Sequence, residues 1–184
     1  MNHKGTTRLE TDRLILRQFE VTDAEAMYHN WASSDEVTRY LMWSPHKSID
    51  VSREYIQSMR EGYEKGNTYD WAIVLKESNE VIGSMGVVHI EERVGVMHVG
   101  YCIGKAWWHK GYTSEAFAEV IRYLFEEVGV NRIESRHDTK NPNSGKVMLK
   151  CGLKFEGTLR QSDWNNQGIC DANWYALLKE EYGE

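Results

Sequence analysis

Apolar residues along this chain repeat at two periods, about 3.6 residues in some stretches and two in others, and the order of those stretches predicts an architecture. Residues 11–19 read as a first strand, with Leu14, Leu16 and Gln18 on one face. A helix then starts at Thr22 or Asp23 and runs to about Ala32. A short helix opens at Ser34-Asp35-Glu36, continues through Tyr40 to Trp43 and is closed by Pro45. Ser48-Ile49-Asp50 caps a third helix, whose apolar stripe is Val51, Tyr55, Ile56, Met59 and Tyr63, and Gly66 ends it. From Tyr69 the period falls to two. Residues 69–75, 81–90 and 93–103 read as three strands, and connections this short make them an antiparallel meander. Gly83 and Gly86 mark a bulge in the second of these, or the close approach of a neighbour.

The stretch from Val99 to Ala118 carries the most chemistry. It reads as a buried strand to Ile103, a turning segment to Lys110, Gly111 and an abrupt helix over about residues 113–128. Thr113 and Ser114 are good N-cap types, Glu115 lies in the first turn, and apolar residues recur at Ala116, Val120, Ile121 and Leu124. A helix N-terminus bears unpaired N–H groups and partial positive charge, so a strand–glycine–helix junction is a natural anion cradle. An ordinary capped helix after a strand accounts for the same residues. Residues 131–137 form the next strand, reached by a crossover and hence parallel to the strand before the helix. Asn141-Pro142-Asn143-Ser144 starts a helix with asparagine and serine caps; it runs over residues 145–150 and Gly152 stops it. Residues 154–162 and 169–178 form a final antiparallel pair about the polar turn 164–168. With no repeat, low-complexity stretch or linker, residues 1–184 are expected to form one α+β domain, its core spanning about Leu9 to Lys179.

Composition narrows the chemistry. The 22 basic and 28 acidic residues give a net charge of −6, which argues against broad nucleic-acid binding. No apolar run approaches the ~20 residues needed to span a bilayer, and the N-terminal residues lack the apolar segment of a secretory signal. Cys102, Cys151 and Cys170 lack CxxC spacing, and the 7 histidines lack HxxxH or HExxH spacing, so neither a disulfide framework nor a metal site is expected. A reducing, cytoplasmic setting fits these features.

Four segments, in this order, resemble the GNAT acyltransferase fold and its ribosomal-protein N-acetyltransferase (RimJ/RimL-like) branch. Glu10-Thr11-Asp12-Arg13-Leu14-Ile15-Leu16-Arg17 is similar to the branch's "TERLxLR" opening, and Val99-Gly100-Tyr101-Cys102-Ile103 to its "IGYWI" strand. Gly111-Tyr112-Thr113-Ser114-Glu115-Ala116 is close to its GY-A/T-T/S-EA form. Asn141-Pro142-Asn143-Ser144 with Lys150-Cys151-Gly152-Leu153-Lys154-Phe155-Glu156-Gly157 resembles N-x-x-S…K-x-G-F-x-x-E-G. The family's Gln/Arg-x-x-Gly-x-Gly/Ala motif carries Trp108 at its first position here and Thr113 at its last. Both changes fall where backbone N–H groups hold phosphate, and Gly111 is kept. The fold implied is a three-layer α+β one: a central mixed, mostly antiparallel, twisted sheet flanked by helices.

The resemblance implies acetyl-CoA as donor, an amine as acceptor, direct attack on the thioester and no metal. His109, Lys110, Gly111, Tyr112, Thr113 and Ser114 then hold the pyrophosphate, Lys110 adding charge or standing solvated in its loop. Val99, Gly100 and Tyr101 offer backbone N–H groups to the thioester carbonyl, between parallel strands that splay. Asn143 contacts CoA or serves as a capping residue. An acceptor amine arrives protonated and must lose a proton first. His98 is one candidate base, beside its reading as an ordinary strand histidine; Asp163 is the second, beside its reading as a surface turn aspartate. The helix after the asparagine motif lacks the tyrosine that many family members use to protonate the leaving thiolate. Ser144 is the best-placed substitute, with a capping role as its plain alternative. Trp43 is expected to line the acceptor pocket, and Asp35, Glu36 and Asp70 either attract a cationic amine or form a charged solvent face. The leading expectation is an N-acetyltransferase acting on a protein or peptide α-amine. The alternatives are an enzyme for a small amine (an amino acid, polyamine or drug) and a CoA-binding module without catalysis. Related proteins often form homodimers.

Overall fold

The period-two stretches assemble into one eight-stranded sheet in the computed structural model, which describes residues 1–183. The strands are β1 (Leu9–Glu10), β2 (Leu14–Arg17), β3 (Asp70–Leu75), β4 (Val81–Glu91), β5 (Val96–Ile103), β6 (Arg132–Asp138), β7 (Lys154–Asn165) and β8 (Gly168–Leu178), in the spatial order β1–β2–β3–β4–β5–β6–β8–β7. All neighbours run antiparallel except β5 and β6, which are parallel. The helix α4 (Tyr112–Tyr123) makes the crossover that parallel pairing demands. The meander and the crossover are as the periodicity predicts.

Alternation along β3 divides the core into two layers. Trp71, Ile73 and Leu75 pack with Phe117, Val120 and Ile121 of α4 and with Met148 of α5 (Pro142–Lys150). Ala72 and Val74 face the other way, against α1 (Ala24–Met27), Trp31 and Ile56 of α3 (Ile49–Tyr63). The short α2 (Asp35–Thr38) is capped by Ser34, whose hydroxyl accepts from Val37 N–H at 3.3 Å. This is a three-layer arrangement, helices on both faces of a mixed sheet.

Several local expectations are corrected. The first strand is a tight hairpin: Leu9 and Glu10 pair with Leu16 and Ile15, and residues 11–13 make the turn. The helix after it is 3₁₀ over Val21–Asp23, α over Ala24–Met27 and π over Tyr28–Ala32, because Asp23 turns back to bond Glu20 N–H and Arg17. On α3 the expected stripe is rotated: Ser52 and Ile56 are buried, whereas Val51 and Tyr55 are exposed. Ser52 tolerates burial because its hydroxyl bonds His46 Nδ1 at 2.8 Å. α4 starts before Thr113 and Ser114, with Gly111 as its N-cap at φ +81°, and α5 is capped by Asn141 with Pro142 in its first turn. Thr113, Ser114, Asn143 and Ser144 are therefore helical residues rather than caps.

Phe117 is fully buried between the sheet and α4. Replacing it with alanine leaves a cavity, and Phe117→Ala is expected to lower unfolding free energy by about 3–5 kcal/mol in equilibrium urea denaturation.

Candidate active site

The parallel ladder between β5 and β6 is short. It pairs Val96 with Arg132, Met97 with Ile133 and His98 with Glu134, and there it stops, although both strands continue. Ser135, buried just past the last pair, donates its Oγ to Val99 O at 2.7 Å. A side chain thus replaces the backbone bond at the apex of a widening gap. Farther along, Trp108 Nε1 donates to Ile103 O at 2.9 Å. Val99 and Ile103 therefore turn their backbone toward the gap, and alternation turns the N–H of Tyr101, between them, the same way. That N–H has no ladder partner across the gap. Trp108, at the motif's altered first position, acts through its indole by fixing the end of β5.

A cleft of about 550 Å³ opens at this gap. Of the residues expected to bind acetyl-CoA, it brings together Tyr101, His109, Gly111, Thr113, Ser114 and Asn143, with Ser144 beside them. Val99, Gly100, Lys110 and Tyr112 do not line it, nor do His98 and Asp163. Its cationic lining was not anticipated: Arg39, Lys140, Lys146 and Lys150 face it against a single acid, Glu36, which Lys105 pairs at 2.6 Å. A chain of net charge −6 thus presents a positive cleft, suited to a polyphosphorylated ligand.

The mouth of the cleft is the N-terminus of α4. Gly111 there adopts a left-handed conformation that any side chain would strain, as does His109 at φ +60°. A Cβ on Gly111 would sit 3.5 Å from Arg13 Nη2 and 3.8 Å from Lys150 Nζ, so two cations flank the bare backbone. Arg13 fixes this loop from the β1–β2 hairpin. It bonds Lys110 O at 3.1 Å, lies 4.4 Å above the Tyr112 ring and pairs with Glu115 at 2.6 Å. Glu115 also accepts from Thr11 Oγ1 and Arg13 N–H. Burial pushes the Glu115 carboxyl up, but these bonds outweigh it and hold the group below the usual carboxylate range.

Inside the cleft, Tyr101 Oη donates to Ser144 O at 2.8 Å and accepts from Ser144 Oγ at 3.2 Å. Burial raises the phenol above its ordinary pKa, so it stays protonated. β5 thereby supplies a tyrosine hydroxyl where α5 has none. Cys102 lines the cleft, and burial pushes its thiol up to about 12; Cys151 is pushed up equally. Neither offers a thiolate at neutral pH.

His98 is buried, with Nδ1 3.5 Å from Glu134 Oε1 and its ring edge-on to Trp174 at 5.4 Å. The His98 bond and Arg132 hold the Glu134 carboxyl low. Asp163 is engaged by Arg136, at 2.6 Å from Nε and 3.3 Å from Nη2. Trp43 is not among the cleft residues; it packs on the second core and meets the His46 ring at 5.2 Å. Tyr40 and Leu41 line the cleft instead, and Asn166 at the β7–β8 turn ties that segment down by donating to Thr38 O and Trp43 O. No group of acids, histidines and cysteines among the described residues is arranged to hold a metal ion, and no helix is long and apolar enough to cross a membrane.

Comparison with known proteins agrees with this geometry. A family model described as an acetyltransferase (GNAT) domain matches residues 13–154. The chain is 36% identical over 171 residues to the uncharacterized N-acetyltransferase YoaA of Bacillus subtilis (strain 168), covering 93% of this chain and 96% of that protein. It is 26% identical over 160 residues to the [ribosomal protein uS5]-alanine N-acetyltransferase of Escherichia coli (strain K12), covering 82% and 79%. A crystal structure of a GNAT-family acetyltransferase from Bacillus anthracis superposes with a TM-score of 0.83 at 24% identity, over 95% of this chain and 100% of that one.

Gly111→Val puts a β-branched residue at φ +81° and crowds the cradle. It is expected to raise the acetyl-CoA Kd at least about tenfold in calorimetry, with a stability loss of about 1–3 kcal/mol. An unchanged Kd would show that the pyrophosphate does not sit there.

Proposed function

This chain belongs to the GNAT acetyltransferase family, an acetyl-CoA-dependent N-acetyltransferase, and we propose that its acceptor is the α-amine of a protein or peptide N-terminus. The observation that carries the site assignment is the coincidence of two features in one cleft: the unzipped end of the β5–β6 ladder and the bare N-terminus of α4. The acceptor assignment draws on the similarity to enzymes of ribosomal-protein N-termini.

In this reading the α4 N-terminus and the lysines of the cleft hold the CoA phosphates. Asn143 contacts the pantetheine arm. Tyr101 N–H donates to the thioester carbonyl oxygen, where negative charge grows as the amine attacks. The hydroxyl pair of Tyr101 and Ser144 lies on the sulfur side and gives the departing thiolate a proton or a hydrogen bond. A thiolate whose conjugate acid has a pKa of about 8.5 needs only modest help, which a neutral phenol supplies. His98 and Asp163 are each held by a partner, Glu134 and Arg136. We assign both to fixing the β5–β6–β8–β7 side of the site rather than to taking the amine's proton. The half-buried, un-bridged cysteines fit a reducing, cytoplasmic setting.

Thiol release from acetyl-CoA tests the reading across an amine panel: a peptide with a free N-terminus, the same peptide Nα-blocked with a lysine present, a polyamine and free amino acids. The free N-terminal peptide is expected to give a kcat/KM at least about tenfold above the others. Preference for a small amine would move the acceptor class, and no release with any amine would leave a binding module. Tyr101→Phe is expected to lower kcat about 10²-fold with acetyl-CoA affinity unchanged.

A further inference from the structure

β5 has a second face, opposite the one from which Tyr101 meets Ser144, and alternation places His98, Gly100 and Cys102 on it, Cys102 at the rim of the cleft. The strand register sets Asp70 of β3, Gly86 of β4 and Gly100 of β5 in one row across the sheet. A Cβ on Gly86 would collide with Asp70 Oδ1, so the carboxylate lies over β4 in the space that a side chain at 86 would fill. A Cβ on Gly100 would meet only Val88 Cγ1, at 3.4 Å. Two glycines thus leave a bare floor between the carboxylate and β5, about one strand spacing (~5 Å) wide. That width admits an ammonium group or a water molecule.

The carboxylate itself is unclaimed. Its residue is anchored through the backbone, the N–H donating to Thr6 Oγ1 at 2.8 Å and the C=O accepting from Tyr63 Oη at 2.9 Å. No hydrogen bond or ion pair among the described residues reaches either carboxylate oxygen. Asp70 is half-buried, so its carboxylate is partly withdrawn from water without a protein partner to compensate it. The titratable groups that sense Asp70 are Tyr55 and Tyr63 of α3, and Cys102 of β5 lies near Tyr55. Although part of the Tyr55 side chain is exposed, shielding of its hydroxyl pushes it up to about 12, as burial does the Cys102 thiol, and burial raises Tyr63 further, so all three are neutral at pH 7. Arg60 of α3, which senses Tyr63, is turned to Phe19 O at 2.9 Å.

We propose that Asp70 takes the proton from the acceptor's ammonium group, through one water over Gly100, before the amine attacks the thioester in the gap beyond β5. The inference rests on the reading that this chain acetylates an amine. The carboxylate gains one proton and the ammonium becomes a neutral amine. Its nitrogen then bonds the acetyl carbon as the C–S bond breaks, the second N–H proton goes to the departing sulfur, and Asp70 returns its proton to solvent. Burial brings the Asp70 carboxyl to about 7, close to the ~8 of an α-amine, so the transfer is nearly balanced in free energy. Cys102, which faces both Tyr55 and the CoA cleft, marks where the floor and the gap meet.

The test measures kcat/KM for the N-terminal peptide at saturating acetyl-CoA from pH 6 to 9.5, for wild type, Asp70→Asn and Asp70→Glu, alongside acetyl-CoA affinity. The amide is the same size as the carboxylate and removes an unpaired charge, so the fold should hold. Wild type is expected to lose rate only below about pH 7. Asp70→Asn should lose about 10²-fold at pH 7.5, shift its acidic limb up to the amine's own pKa of about 8, and bind acetyl-CoA as before. Asp70→Glu should recover part of the rate and the original limb. An active wild type beside an Asp70→Asn variant with equal rate and an identical pH profile would overturn the inference alone. A wild type that acetylates no amine would overturn the acetyl-transfer reading and the inference with it.

Discussion

The bond from Ser135 Oγ to Val99 O is the joint on which the site depends. Two parallel strands that begin in register would ordinarily continue to exchange backbone bonds, since an unpaired backbone group shielded from water costs free energy. Here a buried hydroxyl takes the carbonyl that the next ladder bond would have used, and the strands part. The separation leaves Tyr101 N–H facing an open gap, and the chain leaving β5 passes through a 3₁₀ turn, Lys105–Trp107, to the N-terminus of α4. One interruption in a ladder thus frees a backbone donor, the group proposed to hold the acyl oxygen, at the cleft that the α4 N-terminus also lines.

Strand alternation gives β5 two faces, one for each substrate in the proposed reading. Val99, Tyr101 and Ile103 belong to the face that α4 and α5 cover, where Tyr101 meets Ser144. Gly100 and Cys102 belong to the face that α1 and α3 flank, where glycines keep the floor low beside Asp70. In the proposed reading, donor and acceptor approach β5 from opposite sides and meet at its unzipped edge. The rotated stripe of α3 fits this division: Tyr55 stays partly exposed instead of entering the core, on the side of the sheet where Asp70 lies.

The parts of the site that were legible in the sequence are local ones. Gly111 was readable because a tight junction between a strand and a helix needs a residue that tolerates positive φ. The parallel pairing of β5 and β6 followed from crossover length alone. The brace on the cradle was not readable, because Arg13 and Glu115 are 102 positions apart and nothing in either neighbourhood names the other. Ser135 carried a faint signal, a small polar residue on the inward phase of Arg132–Asp138, which also suits an ordinary strand. Lys150 and Lys146 carry no sequence signal of their place, because only the fold turns that side of the helix into the cleft. The phenol of Tyr101 was hidden behind the expectation that only its backbone would act. Asp70 read as one acid among several, because the emptiness at Gly86 and Gly100 that isolates its carboxylate exists only across three strands.

Whether the unzipped end of β5 holds the acetyl group is decided by the structure of the acetyl-CoA complex. The thioester carbonyl oxygen is expected about 2.7–3.1 Å from Tyr101 N, with the sulfur on the Ser144 side and the pyrophosphate against the N–H groups that follow Gly111. A complex in which the carbonyl oxygen lies away from Tyr101 N, with the thioester outside the gap that Ser135 holds open, would contradict this placement.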